Sequence, residues 1–96
     1  MSSTAELLDA FSYMGRSIPY RMYTGIVNYV DEHVLPGDFL QSIITNDLKN
    51  AVFYADDDNM WLIPVYVAFF HNNTPASCQG SREKMAAWLE MRHMVA

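Results

Sequence analysis

Met60-Trp61-Leu62-Ile63-Pro64-Val65-Tyr66-Val67-Ala68-Phe69-Phe70, MWLIPVYVAFF, is the segment on which the fold class turns. Its valine, isoleucine, tyrosine and phenylalanine suit a strand, and no period separates buried from exposed positions. Pro64 weighs against a central strand because it withholds an amide from the ladder. It also disfavours a helical backbone at Ile63, the residue before it. A buried helix that begins after the acidic run and holds Pro64 in or near its first turn meets both conditions, since a missing amide costs nothing there. A strand over residues 60–70 is the less favoured alternative.

The flanking segments read as helices. Ser3-Thr4-Ala5-Glu6 is a capping box, followed by Leu7, Leu8, Phe11 and Met14 at helical spacing, with Gly15 closing the segment. A second helix opens near Pro19 and carries Met22, Tyr23, Ile26, Val27, Tyr29 and Val30 on a wide apolar face. Gly25 lies within it, where glycine often marks a close approach of a neighbouring element. Pro36-Gly37 makes a turn and Asp38 is placed to cap the next helix. FLQSIITNDLKNAVFYA, residues 39–55, reads as one helix with Leu40, Ile43, Ile44, Leu48, Ala51, Val52 and Ala55 in a single stripe. HNNTPASCQGS is a polar loop, and Ser81 begins a last helix whose Met85, Trp88 and Leu89 face inward. The expectation is an all-α fold: one domain over residues 1–96, a compact orthogonal bundle of about five helices.

At 96 residues and 51% hydrophobic composition, against 18% charged, such a chain has trouble hiding its apolar side chains. Self-association or a partner surface is expected. The net charge of −5 argues against direct nucleic-acid binding, which relies on a basic face. It also argues against an anionic membrane surface. Cys78 is the only cysteine, so no intrachain disulfide can form and a reducing compartment fits. MSSTAELLDAF lacks a basic region followed by an apolar run, so no signal peptide is expected. The apolar run 60–70 is about half of the roughly 20 residues a membrane-spanning helix needs. A soluble cytoplasmic protein is expected.

The acidic run Asp56-Asp57-Asp58-Asn59 invites a calcium reading. Counted from Asp56, however, the glycine position of an EF-hand loop holds Trp61 and the closing glutamate position holds Val67. Capping the following helix explains the run better, since carboxylates suit a positive helix N-terminus. Docking to a basic partner patch is compatible with that role. Other chemistry finds no support. Cys78 has no nucleophile signature around it, and His33, His71 and His93 form no i, i+4 pair. Gly15, Gly25, Gly37 and Gly80 are scattered, which rules out a phosphate cradle. The aromatic residues, Trp61 and Trp88 among them, read as core packing, and no basic residues are interleaved with them. No catalytic residue, cofactor or metal is expected. An enzyme would need His71 and Cys78 to converge in a pocket with a carboxylate behind them.

IPYRMYTGIVNYV, LPGDFLQSIITNDLKNAVFYADDDN and IPVYVAFFHNNTPASCQGSREKMAAW share features with a known group. The matching points are Pro36-Gly37-x-Phe39-Leu40, Asn46-Asp47-Leu48, Ala55-Asp56, Asn59, Pro75, Gly80-Ser81 and Trp88. Over residues 18–88 the chain resembles small proteins encoded by bacteriophages, prophages and mobile elements, for which no reaction is established. The N-terminal helix is less typical. The resemblance implies stoichiometric binding to host machinery such as polymerases, nucleases or defence complexes. Asn46 and Asp47 are expected to hydrogen-bond a neighbouring loop around Asn59 or Asn72.

The function expected is therefore that of a non-catalytic phage-type accessory protein that binds a host or phage protein and forms a homodimer. The alternative is an acidic nucleic-acid mimic or inhibitor of a host defence complex, anti-CRISPR-like, with its acidic side chains on one face. Candidate contact residues are Asp31, Glu32, Asp56, Asp57, Asp58, Met91 and Met94.

Overall fold

Ser3 starts the first helix as its sequence foretells. Its hydroxyl accepts from the Glu6 amide at 3.1 Å while the Glu6 carboxylate accepts from the Ser3 amide at 3.1 Å. The computed structural model describes residues 2–95, and the side chains of residues 2–92. Among the described residues the chain is all-α, with seven helices, six of them of seven residues or more, and no strand. They are α1 (Thr4–Ala10), α2 (Tyr23–Glu32), α3 (Asp38–Ile44), α4 (Leu48–Tyr54), α5 (Asp57–Met60), α6 (Ile63–Asn73) and α7 (Arg82–Val95). Short 3₁₀ turns occupy Tyr20–Met22 and Ala76–Cys78.

The count exceeds five for two physical reasons. The segment 39–55 is broken, because Asn46 adopts a left-handed backbone (φ 61°) and Asp47 then caps a new helix. Asparagine tolerates that conformation and aspartate is a preferred N-cap. Asp47 accepts from the Asn50 amide at 3.2 Å and from Asn50 Nδ2 at 2.7 Å. The second reason is Asp56, whose Oδ1 accepts from the Asn59 amide at 2.8 Å and so gives the acidic run its own short helix, α5.

Three other expectations change. Gly37, not Asp38, is the N-cap of α3, and no side chain caps it; Asp38 is the first helical residue. α1 ends at Ala10 instead of running to Met14, because residues 13–16 form a tight reversal closed by Tyr13 and Arg16. Met14 (φ 54°) and Gly15 (φ 76°) both take positive φ there, the backbone of a type I′ turn. The apolar stripe of residues 40–55 also splits: Leu40, Ile43, Ile44 and Ala51 are buried, while Leu48 and Val52 face solvent.

Within segment 60–70 the expected helix forms with Pro64 in its first turn, but it begins at Ile63 and is buried on one face only, Val67 being exposed, as is Trp61 ahead of it. This helix, α6, buries Val65, Tyr66, Phe69 and Phe70. Each such side chain contributes about 1.5–3 kcal/mol through removal from water. Phe69 meets Phe11 of the N-terminal segment edge-on at 5.4 Å between centroids, and Tyr66 meets Phe39 of α3 at 5.1 Å. α1 packs on α2, α3 on both α4 and α6, and α7 on the Ala76–Cys78 turn. Gly25 is a close-approach point, since a Cβ added there would sit 3.1 Å from Leu40 Cδ1.

Polar atoms inside the core are paired. The Tyr29 hydroxyl donates to the Cys78 carbonyl at 2.6 Å, and the Tyr66 hydroxyl to Asn59 Oδ1 at 2.6 Å. Trp88 Nε1 donates to the Tyr29 carbonyl at 2.9 Å. Among the described residues no buried side-chain nitrogen or oxygen lacks a partner.

Candidate partner-binding surface

The acidic corner lies between α4 and α6. Asp56 does the capping, and its other carboxylate oxygen accepts from Arg21 Nη2 at 2.9 Å. The same guanidinium reaches Asp58 at 3.9 Å. The Asn59 amide, and then Arg21, hold the Asp56 carboxyl below its ordinary range. Two of the three aspartates thus share one cation, and Asp57 is left exposed.

Trp61 is, with Leu48 and Val52, a residue that sequence reasoning misplaced. Expected in the core, it is 72% exposed, on the turn between α5 and α6. The available signal was position: Pro64 belongs to the first turn of α6, so a residue three places earlier precedes the buried helix. Arg16 Nη1 approaches the Trp61 carbonyl at 3.5 Å. Arg16, Pro19, Asp58, Trp61 and Leu62 line one shallow, open depression. The exposed Tyr20 ring lies one residue beyond Pro19 and packs against Tyr23. An indole and a guanidinium beside an open apolar floor are residue types enriched in protein–protein contacts.

The remaining candidates lie apart from this corner in their bonding. Asp31 accepts from the Thr4 hydroxyl at 2.6 Å, which ties α2 to the start of α1. Glu32 is exposed at the end of α2, and Met91 is partly exposed on α7. Among the described residues no hydrogen bond or ion pair joins Asp31, Glu32 or Met91 to Asp56, Asp57 or Asp58. Met94 and His93 fall outside the described side chains.

A second apolar surface lies on α4 and α6. Leu48 (68% exposed), Phe53 (70%), Val52 and Val67 all face solvent. Leu48, Ala51, Ile63 and Val67 line the narrow groove between the two helices. A third feature is a polar cleft of about 280 Å³ among α3, α4 and α7. Its lining is largely engaged with itself: Gln41 Nε2 donates to the Pro36 carbonyl at 2.7 Å and Ser42 Oγ to the Asp38 carbonyl at 2.9 Å. Asp47 and Asn50 pair as described, and Arg82 lies 3.6 Å from Asp47. Asn50 and Arg82, not Asn59 or Asn72, are thus the side chains that meet Asp47. The Asn50 bonds, then Arg82, pull the Asp47 carboxyl below its ordinary range.

Cys78 and His71 make no nucleophilic pair. The Cys78 thiol is buried and donates to Thr74 Oγ1 at 3.3 Å, whereas His71 is exposed on the last turn of α6. Burial pushes the thiol pKa up, the opposite of activation. Among the described residues no three His, Cys, Asp or Glu side chains gather as a metal site would require. Among them, too, no helix is long and apolar enough to cross a membrane.

Comparison with protein-family models, curated proteins and solved structures finds no match to this chain.

Proposed function

We propose that this chain is a non-catalytic accessory protein of the bacteriophage type, which works inside a bacterial cell by binding a host or phage protein and modulating the complex that protein belongs to. The observation that supports this reading is Trp61, largely in water beside Arg16 and Asp58, in a chain whose only thiol is buried and engaged. Leaving an indole exposed is unfavourable for an isolated molecule, and covering it with a partner recovers about 1.5–3 kcal/mol. The same reading includes a homodimer, supported by the surplus apolar surface on α4 and α6.

The acidic-mimic alternative draws less support. Arg21 engages both Asp56 and Asp58, which weakens the phosphate-like array such a mimic needs. Affinity capture from host lysate, run in parallel with wild type, Trp61→Ala and an Asp57→Asn/Asp58→Asn variant, separates the two. Protein binding through the corner predicts a captured partner that survives raised salt and is lost with Trp61→Ala. A partner lost with salt and with the neutralised acids, but kept by Trp61→Ala, contradicts it and favours the mimic.

A further inference from the structure

On α4, Leu48, Val52, Lys49 and Phe53 fall on one outward arc of roughly 140° at about 100° per residue. All four are exposed, while Ala51, on the opposite side, is buried. Val67 of α6 borders this arc across the groove lined by Leu48 and Ile63. The result is an apolar face with a single cation near its N-terminal end. Lys49 has no ion-pair partner among the described residues, in a chain of net charge −5.

The charge is distributed unevenly along this helix. Lys49 sits in its first turn, and Asp57 and Asp58 follow within four residues of its end at Tyr54. Turning a second α4 antiparallel about a two-fold axis near Val52 and Phe53 brings Lys49 of each copy to the C-terminal end of the other. There Lys49 meets both the acidic run and the negative end of the partner's helix dipole. Val52 and Phe53 of each copy then cover those of the other. A two-fold axis lets one patch serve both sides, and the arrangement is self-complementary in charge. A parallel pairing would set Lys49 against Lys49 and acid against acid.

We infer that the α4 face binds a second copy of this chain, antiparallel about a two-fold axis, with Lys49 of each protomer paired to the Asp57–Asp58 run of its partner. This gives a geometry to the homodimer of the proposed reading, with its apolar contact on α4 and its acidic end at Asp57–Asp58, which adjoins the Trp61 depression through Asp58.

The test is sedimentation equilibrium over a concentration series, with circular dichroism confirming that each variant keeps its helix content. Wild type should dimerise. Lys49→Glu and Asp57→Lys should each weaken self-association roughly tenfold or more, because each reversal introduces two repulsive pairs per dimer. An equimolar mixture of those two variants should recover association, since each supplies the charge the other lost. Leu48→Glu should be monomeric. A wild-type monomer throughout the series overturns the inference, as do charge reversals without effect or a mixture no tighter than its components. A monomeric Lys49→Glu variant that still captures the partner of the Trp61 corner leaves the proposed function standing. Loss of capture by Trp61→Ala with dimerisation intact separates the two surfaces in the other direction.

Discussion

The hydroxyl of Tyr66 donates to the Oδ1 of Asn59 at 2.6 Å, with both residues buried, so α6 is bonded through its core side to the short helix that the acidic run forms. Burial pushes the Tyr66 pKa up, which favours the neutral hydroxyl that donates. Together with the Arg21–Asp56 pair and the Arg16 contact to the Trp61 carbonyl, this bond holds the acidic corner on the core.

Tyr66→Phe removes the donor and leaves the Asn59 carbonyl buried without it. The expected loss is about 1–3 kcal/mol. That corresponds to a fall in Tm of roughly 4–8 °C per kcal/mol for a domain of this size, read by differential scanning calorimetry.

Two capping aspartates make stability pH-dependent. Asp47 and Asp56 have folded pKa values below the ordinary 3.8, chiefly through the bonds they accept from Asn50 and Asn59. Their contribution is therefore present above about pH 4 and is lost as pH falls through the lower, folded values. Asn substitutions keep the cap while removing the titration. The double variant Asp47→Asn/Asp56→Asn should show a flatter dependence of urea midpoint on pH below 4 than wild type.

Gly25 should resist alanine despite its helical setting. Alanine gains up to about 1 kcal/mol of helix propensity. Its Cβ, however, would press on Leu40 Cδ1 at 3.1 Å, and Leu40 is buried. Gly25→Ala should destabilise by about 1 kcal/mol in wild type and become neutral or stabilising in a Leu40→Ala background, as a double-mutant cycle would record.

Cys78 should be silent to thiol reagents. With its sulfur buried and its pKa raised, modification by a disulfide reagent should proceed only through unfolding. The reaction rate should follow the unfolded fraction across a urea titration, and a rapid reaction in native buffer would contradict the placement.

Much of the fold was legible because local chemistry and burial agree along much of the chain. Ser3 and Glu6 announce the first cap, and Pro64 marks the first turn of α6, weighing against a strand there. The break at Asn46-Asp47 was hidden because the apolar spacing of residues 40–55 continues through it. The asparagine and aspartate that make the break also pass as polar residues on a helix face. Leu48 and Val52 were consequently assigned to the core. Once α4 is capped anew at Asp47, its register rotates relative to α3 and carries both outward. The same limit applies to the candidate surface. Asp56 could be read as a cap, but its partner Arg21 lies 35 residues earlier, and nothing local in the sequence joins them.

The most direct test of the central claim, that Trp61 is held exposed in order to be covered by another polypeptide, is calorimetric titration of the captured partner into wild type and into Trp61→Ala. An affinity loss of roughly 30-fold or more, with thermal unfolding of the variant unchanged, is the predicted result, in keeping with a central aromatic contact worth about 2 kcal/mol or more. Equal affinities for the two proteins would contradict the account.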